Sequence, residues 1–193
     1  SKIVILGAGI SGHVAASHLR RKLGKEHEVV VVSPNSNYQW IPSNIWVGVG
    51  RMKSKEIIFP LEPLYKRKGI GYIQSKAVSF HPEGDSTETT PYILVEGVYG
   101  DTLVKQEKVT YDYLINATGP KLAFDMTEGL VPGTNKAYSV CTYDHAEHAS
   151  EALLKLIAEM KKSDKKVKIL SGTGHAKSTC QGAAFEYILN VEK

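Results

Sequence analysis

The hydrophobic pattern changes period twice near the amino end of the chain. Residues 2–6 form a short apolar run, residues 13–23 carry apolar side chains at helical spacing, and residues 28–32 form a second apolar run. Short runs rich in β-branched residues are typical of buried strands, and a spacing of three or four is typical of a helix that packs on one face. The pattern therefore predicts a strand, a helix and a strand, in that order.

The middle of the chain carries signals of a different kind. Residues 38–50 show little periodicity and predict a loop, and residues 60–68 predict a short helix. Residues 71–80 have strand character, and residues 92–98 and 103–110 alternate between apolar and polar, as antiparallel strands do. We therefore expect a small antiparallel meander between the first strands and the second half of the chain.

The second half predicts one more strand of the first domain and the beginning of another βα unit. Residues 111–116 form an apolar strand, and Asp144 and Glu147 mark the start of a long amphipathic helix in a capping-box-like arrangement. Residues 166–171 predict a strand, with a helix after it. The fold class is therefore α/β: a Rossmann-type domain with a parallel sheet and a small antiparallel meander, followed by the start of a second Rossmann-type domain.

The sequence Gly7-Ala8-Gly9-Ile10-Ser11-Gly12 lies between the first predicted strand and its helix. In this setting G-x-G-x-x-G binds a dinucleotide: Gly7 makes the tight turn, Gly9 lets backbone N–H groups approach a pyrophosphate, and Gly12 lets the helix pack on the strand. The motif alone does not separate FAD from NAD(P).

Ser33 stands where an acid usually follows the second strand, about 20 residues beyond the glycines, to bind the ribose hydroxyls. A neutral residue there is compatible with a 2′-phosphate, but no arginine follows before Arg51. We therefore disfavour NADP and expect Ser33 to hydrogen-bond the ribose.

Composition narrows the classes of function. The net charge of +4 is spread along the chain, so we expect no nucleic-acid partner. Two cysteines cannot form the disulfide framework of a small secreted domain, and no leader precedes the first strand, so we expect a cytoplasmic protein. Apolar runs stay well below the ~18 residues that span a bilayer.

The C-x3-H-x2-H spacing of Cys141, His145 and His148 matches no zinc module, so we expect no metal.

The second predicted βα unit contains Gly172-Thr173-Gly174-His175-Ala176-Lys177. Lys177 replaces the third glycine and His175 adds volume where a pyrophosphate would lie, so NADH binding is disfavoured. Cys180 is expected in or near the first turn of the following helix with Lys177 on the same face, where the helix dipole and the ammonium favour a thiolate. A buried structural cysteine is the alternative.

Three stretches resemble sulfide:quinone oxidoreductases: residues 38–50, residues 117–124 and residues 139–147, with the segment around Cys180 as a fourth. The resemblance implies FAD as the cofactor, sulfide and quinone as substrates, and a redox role for Cys180. It also implies a position for Cys141 close to the flavin, and acid–base roles for His145 and Glu186. The implied cofactor-binding residues are Gly7, Ala8, Gly9, Ile10, Ser11, Gly12, Ser33, Pro34, Pro42, Ala77, Val78, Ala117, Thr118 and Gly119.

The same resemblance implies an organisation into domains. Residues 1–125 are expected to form the first part of the FAD-binding domain, and residues 126–193 the crossover and a truncated βα unit of the second domain. We expect a fragment of a longer enzyme that contacts the membrane surface peripherally through a part outside this sequence; assembly into a homo-oligomer is left open.

Two alternatives stay open. The first is a related flavoenzyme, either a flavocytochrome c sulfide dehydrogenase or a type II NADH:quinone oxidoreductase. The second is a nucleotide-binding sensor module without catalysis, which would bind its ligand with no dependence on thiols.

Overall fold

The structure is a computed structural model that describes residues 1–97, 105–163 and 166–192. Its elements in chain order are β1 (Lys2–Leu6), α1 (Ile10–Lys22), β2 (Glu28–Val32), β3 (Asn37–Gln39), α2 (Asn44–Gly48), β4 (Ile58–Pro60), α3 (Leu61–Lys68), β5 (Gly71–Ile73), β6 (Ser75–His81), β7 (Tyr92–Gly97), β8 (Gln106–Thr110), β9 (Tyr113–Asn116), α4 (Tyr143–Lys162) and α5 (Gly182–Glu192). None of the helices in this part of the chain is long and apolar enough to cross a membrane.

The chain forms two compact units. The first unit contains residues 1–38 and 59–120, and the second contains residues 39–58 and 121–193. Nothing in the hydrophobic pattern indicates that residues 39–58 belong with the carboxyl-terminal part. The division into cofactor domains at residue 125 stays a prediction, because compactness alone does not define a binding domain.

The first unit is built on a four-stranded parallel sheet in the order β5-β2-β1-β9. Side chains alternate between the two faces of a strand, so a sheet covered on both sides reads as continuous apolar runs. One face packs against α1 and α3 through Ile3, Ile5, Val29, Val31, Ala16, Leu61 and Tyr65. The other packs against the antiparallel sheet β6-β7-β8 through Val4, Leu6, Val30, Val32, Ile93, Val95 and Val109.

The second unit packs α2 against α4 and α5. Its small buried core contains Val47, Ile57 and Ala146. The start of α4 differs from the predicted capping box: Thr142 is the N-cap residue and makes no side-chain cap hydrogen bond. Glu147 instead accepts a hydrogen bond from the Ser54 hydroxyl, because the segment before β4 lies against α4.

Three predicted elements are corrected. The predicted loop over residues 38–50 contains the end of β3, a 3₁₀ turn at Ile41–Ser43 and the helix α2. Strand signals over residues 71–80 belong to two strands in different sheets, β5 and β6. The strand expected over residues 166–171 is absent, because a strand needs a neighbour for its backbone groups and no described strand lies beside it.

The start of α1 differs from its predicted position, and two predicted strand ends lie outside the described residues. Helix α1 begins at Ile10, directly after Gly9, and not at His13. The predicted ends of the meander strands at residues 98 and 103 lie outside the described residues; β7 is described to Gly97 and β8 from Gln106.

Asp85 organises the loop between β6 and β7. Its carboxylate accepts hydrogen bonds from the Thr87 hydroxyl at 2.7 Å, the Tyr92 hydroxyl at 2.5 Å and the Lys108 ammonium at 2.9 Å. The backbone N–H groups of Thr87 and Glu88 bind it as well. The hydrogen bonds from Thr87, Tyr92 and Lys108 hold the pKa of Asp85 well below its usual range.

We expect Asp85→Asn to lower the Tm at pH 7, because an amide cannot replace the charge that five donors share. A depressed folded-state pKa stabilises the fold above the ordinary carboxyl pKa of about 3.9, and this contribution is lost as the pH falls further. The Tm difference between the variant and the wild type should therefore shrink below about pH 4. Thermal unfolding followed by circular dichroism at a series of pH values measures it.

Glu107→Gln on β8 is the matched control, since the ion pair of Glu107 with Lys105, at 3.0 Å, is exposed to solvent. An Asp85→Asn protein that unfolds at the wild-type temperature at pH 7 would show that the network contributes nothing to stability.

Candidate cofactor site and cysteine segments

The loops that follow β1, β2 and β9 meet at the carboxyl edge of the parallel sheet. The backbone N–H of Gly7 donates to Val32 O at 2.8 Å, and that of Ala117 donates to Leu6 O at 2.8 Å. The N–H of Ser33 donates to Ile73 O at 3.1 Å. In the order β5-β2-β1-β9, the strands after β1 are added first on one side of it, as β2 and β5, and then on the other side, as β9. Open α/β sheets bind ligands at such a change in strand order.

Gly7 and Gly12 are fixed by close backbone packing. Gly7 has φ +97°, and a Cβ there would lie 2.3 Å from Ala117 O. A Cβ on Gly12 would lie 1.9 Å from Gly7 O. Because real Cβ atoms do not approach oxygen so closely, only glycine allows the turn, the helix and the β9 loop to meet here. Ala8, between them, is buried.

Gly9 is different, because its missing side chain leaves open space. An ideal Cβ on Gly9 has no neighbour within 4 Å in the part of the chain that the structure describes. Gly9 is the N-cap of α1, provides no side-chain cap, and no acidic residue lies in the first turn. The first N–H groups of a helix have no acceptor within the helix and carry a partial positive charge. With Ile10 and Ser11 exposed, this helix end fits the pyrophosphate of a dinucleotide.

The β2 loop supplies a buried hydroxyl. Ser33 is 2% exposed, and its Oγ accepts a hydrogen bond from the Asn35 N–H at 3.3 Å. The hydroxyl hydrogen remains able to donate, which suits a ribose oxygen. Pro34, next to it, is exposed at the surface.

The β9 loop turns tightly after its strand. The N–H and the hydroxyl of Thr118 both donate to Asn116 Oδ1, at 3.2 and 2.9 Å. Gly119 follows with φ +71° and is exposed. The loop thereby leaves Thr118 and Gly119 at the open edge of the sheet, beside the strand that carries the glycine loop.

The other predicted cofactor residues do not belong to these three loops. Val78 is the extra residue of a bulge in β6, opposite Leu94 and Val95 of β7, and is 40% exposed. Ala77 packs against the core beneath the meander. Pro42 lies in the 3₁₀ turn of the second unit. Their contact with the cofactor stays a prediction.

The residues predicted to be catalytic all belong to the second unit. Cys141 is exposed just before α4, and its N–H donates to Ser139 Oγ at 3.1 Å. His145 lies in the first turn of α4 with its ring edge-on to Phe124, 5.1 Å between centroids. Its Nδ1 atom is buried, with no hydrogen-bond partner among the described residues. Glu186 is exposed on α5.

Cys180 is predicted in or near the first turn of the following helix, and it lies just before that helix. It is exposed and precedes α5, which begins only at Gly182. Lys177 lies in a turn, where its N–H donates to His175 Nδ1 at 3.1 Å, so the two residues do not share a helical face. Both residues therefore precede the helix, which begins at Gly182.

The loop over residues 172–177 has a different geometry from the glycine loop of the first unit. The Thr127 hydroxyl donates to Gly174 O at 2.6 Å, and a Cβ on Gly174 would meet Leu130 at 3.4 Å. No helix begins at this loop, whereas α1 begins directly after Gly9. The loop therefore offers no helix end to a pyrophosphate.

Sequence reasoning missed the helix α2 and its contacts. Gly48 lies against Val140 and Tyr187, and the Tyr187 hydroxyl donates to Gly48 O at 3.4 Å. Burial raises the pKa of Tyr187. Small residues between apolar ones, as in Val47-Gly48-Val49, are the signal that indicates such close packing.

Comparison with known proteins identifies the family. Residues 1–173 match the family described as pyridine nucleotide-disulphide oxidoreductase. The chain belongs to this family. The prediction of a Rossmann-type oxidoreductase fold is thereby confirmed, as is FAD as the cofactor expected for it.

Named relatives are similar at low identity. The chain is 28% identical over 156 residues to the sulfide-quinone reductase of Aquifex aeolicus, covering 81% of this chain and 32% of the relative. It is 29% identical over 130 residues to the type II NADH:quinone oxidoreductase of Haemophilus influenzae, covering 66% and 29%. The crystal structure of the Aquifex aeolicus sulfide:quinone oxidoreductase superposes with a TM-score of 0.71 at 26% identity, covering 98% of this chain and 38% of that one. This member of the family thus spans about a third of the length of these relatives.

We expect Gly9→Val to abolish flavin retention in a full-length protein that still folds. The Cβ of a residue at position 9 has no described neighbour within 4 Å and the φ of −72° suits any residue, so the valine should be tolerated by the fold while its branched side chain fills the space above the helix end. The flavin absorbance of the purified protein, compared with its circular dichroism, measures both effects. A yellow, flavin-replete Gly9→Val protein would show that the pyrophosphate does not bind here.

Proposed function

We propose that the full-length protein is a sulfide:quinone oxidoreductase. It oxidises sulfide to sulfur or polysulfide through a redox cysteine and FAD, and passes the electrons to a membrane quinone. Relatives with this activity in their names, from Aquifex aeolicus and Dictyostelium discoideum, support the proposal. Because this chain covers about a third of their length, the activity is proposed for the whole protein.

The observation that carries the proposal is the contrast between the two glycine-containing loops. The loop after β1 leads directly into a helix, whereas the loop over residues 172–177 leads into a turn that ends at an exposed cysteine, Cys180. An enzyme that uses both FAD and NADH needs two dinucleotide sites, each at the start of a helix. Of these two loops, only the one at Gly7–Gly12 leads directly into a helix among the described residues. The donor that suits an exposed thiol is a sulfur compound.

The residues of this chain have separate tasks in the proposed reaction. Gly7–Gly12, Ser33 and the loop after β9 would hold FAD, which when bound would supply the capacity to take up two electrons and pass them on. Cys180, in an accessible segment, takes part in thiol–disulfide exchange: hydrosulfide attacks a disulfide of Cys180, one sulfur becomes a persulfide, and the other leaves as a thiolate.

Exchange of this kind requires a second sulfur, which we assign to a cysteine outside the present sequence. Cys141 flanks the flavin in this proposal, and His145 and Glu186 are the acid–base groups. Contact with the membrane surface is assigned to the remainder of the protein, on the cytoplasmic side.

Type II NADH:quinone oxidoreductase is the second candidate, favoured by the relative from Haemophilus influenzae. We expect micromolar NADH to leave the flavin of the full-length protein oxidised, since residues 172–177 present no helix end. Anaerobic titration followed at the flavin absorbance band tests this. Stoichiometric bleaching by NADH would replace the proposal with the second candidate.

We expect Cys180→Ser in the full-length protein to retain FAD but to lose sulfide-dependent quinone reduction to background. A hydroxyl occupies nearly the same space at this exposed position, but it cannot form a persulfide or exchange with a disulfide. Cys141→Ser is the matched control and should lose less activity, because a residue that flanks the flavin does not carry the sulfur. Sulfide reduction of the flavin at the wild-type rate in Cys180→Ser would refute the proposed role.

A further inference from the structure

Gly48, the last residue of α2, is the point where three segments of the second unit meet. An ideal Cβ on Gly48 would lie 2.7 Å from Val140 Cγ1 and 3.1 Å from Tyr187 Cε2. Gly48 is buried and its φ is not in the left-handed region, so the glycine is required by space and not by backbone conformation. The absence of a side chain sets how closely the segment before α4 and the helix α5 approach α2.

Both neighbours adjoin residues of the proposed thiol chemistry. Val140 directly precedes Cys141, and Tyr187 directly follows Glu186 on the helix that Cys180 precedes. Since both side chains press against the same point of α2, this point sets the spacing between the two segments.

Hydrogen bonds hold α5 in place beside α2. Besides the Tyr187 hydroxyl on Gly48 O, Arg51 Nη1 donates to Asn190 Oδ1 at 3.3 Å. Asn190 is 9% exposed, and its amide donates to Glu186 O at 2.8 Å. The helix is therefore anchored at Gly48 itself and at Arg51, just beyond the end of α2.

We infer that Gly48 is a positioning residue that sets the distance between the Cys141 segment and the helix carrying Glu186. The inference rests on the proposed function for its catalytic consequence. A methyl group at residue 48 displaces Val140 first, because a β-branched side chain has few alternative rotamers, and Cys141 moves with it.

Gly48→Ala in the full-length protein tests the inference. The Cys141 segment leads into the helix that carries His145, and α5 carries Glu186. These are the acid–base groups of the proposed reaction, and misplacement of such a group by about 1 Å costs up to about a hundredfold in rate. We expect kcat for sulfide-dependent quinone reduction to fall about tenfold or more, with the KM for quinone unchanged and FAD retained. Gly97→Ala is the matched control, because a Cβ there has no neighbour within 4 Å among the described residues, and it should keep wild-type kinetics.

Val140→Ala separates positioning from a general loss of stability. Alone it leaves a gap at Gly48 and should lower kcat without unfolding the protein. Combined with Gly48→Ala it makes room for the new methyl group, so the double variant should recover most of the lost rate. A double variant that is as slow as Gly48→Ala, or slower, overturns the inference.

Labelling with a thiol-specific chromogenic reagent gives a readout that does not depend on catalysis. The rate of Cys141 modification, measured in a Cys180→Ser background, should change in Gly48→Ala and return towards the wild type in the double variant. Unchanged labelling in Gly48→Ala overturns the inference even where activity falls. If the wild type lacks sulfide activity, the proposed function fails, and the labelling still decides whether Gly48 positions the segment.

Discussion

The first unit depends on one close contact between backbone segments: the glycine turn after β1 lies against the loop after β9. Gly7 and Gly12 leave no room for a Cβ, with Ala117 O and Gly7 O at 2.3 and 1.9 Å from the ideal positions. The contact brings the start of α1 to the edge of the parallel sheet, and its hydrogen bonds run to Val32 and Leu6. If these segments separated, the helix end and the two neighbouring loops would no longer face one ligand.

The same physical requirement explains why one glycine-containing loop fits a dinucleotide and the other does not. An anion needs free N–H groups at a helix end together with space above them. The loop at Gly9 has both, whereas Gly174 has its carbonyl bound by Thr127 and no helix behind it. Residues 172–180 instead expose the thiol of Cys180, and the proposed use of a sulfur compound as electron donor rests on this difference.

Local signals decided how much could be predicted from the sequence. Continuous β-branched runs and the spacing of the glycines identify β1, β2, α1 and the cofactor loops, because a buried parallel strand and a helix end leave marks within a few residues. The helix α2, with Asn44 buried at its start, leaves no such mark, since its five residues are too few to show a period. Residues 166–171 have the composition of a strand but no partner among the described residues, and pairing is a tertiary property. For the same reason, the sequence predicts Cys180 in or near the first turn of a helix but does not give the residue at which that helix begins, which is Gly182.

The central claim is that the cofactor lies on the loops after β1, β2 and β9. Hydrogen–deuterium exchange of the full-length protein, with its flavin removed and then restored, tests this most directly, because it reports backbone N–H groups one segment at a time. FAD should slow exchange at residues 7–12, 33–35 and 117–119, and leave residues 172–177 unchanged. Protection at residues 172–177, with none at the first glycine loop, would contradict the account.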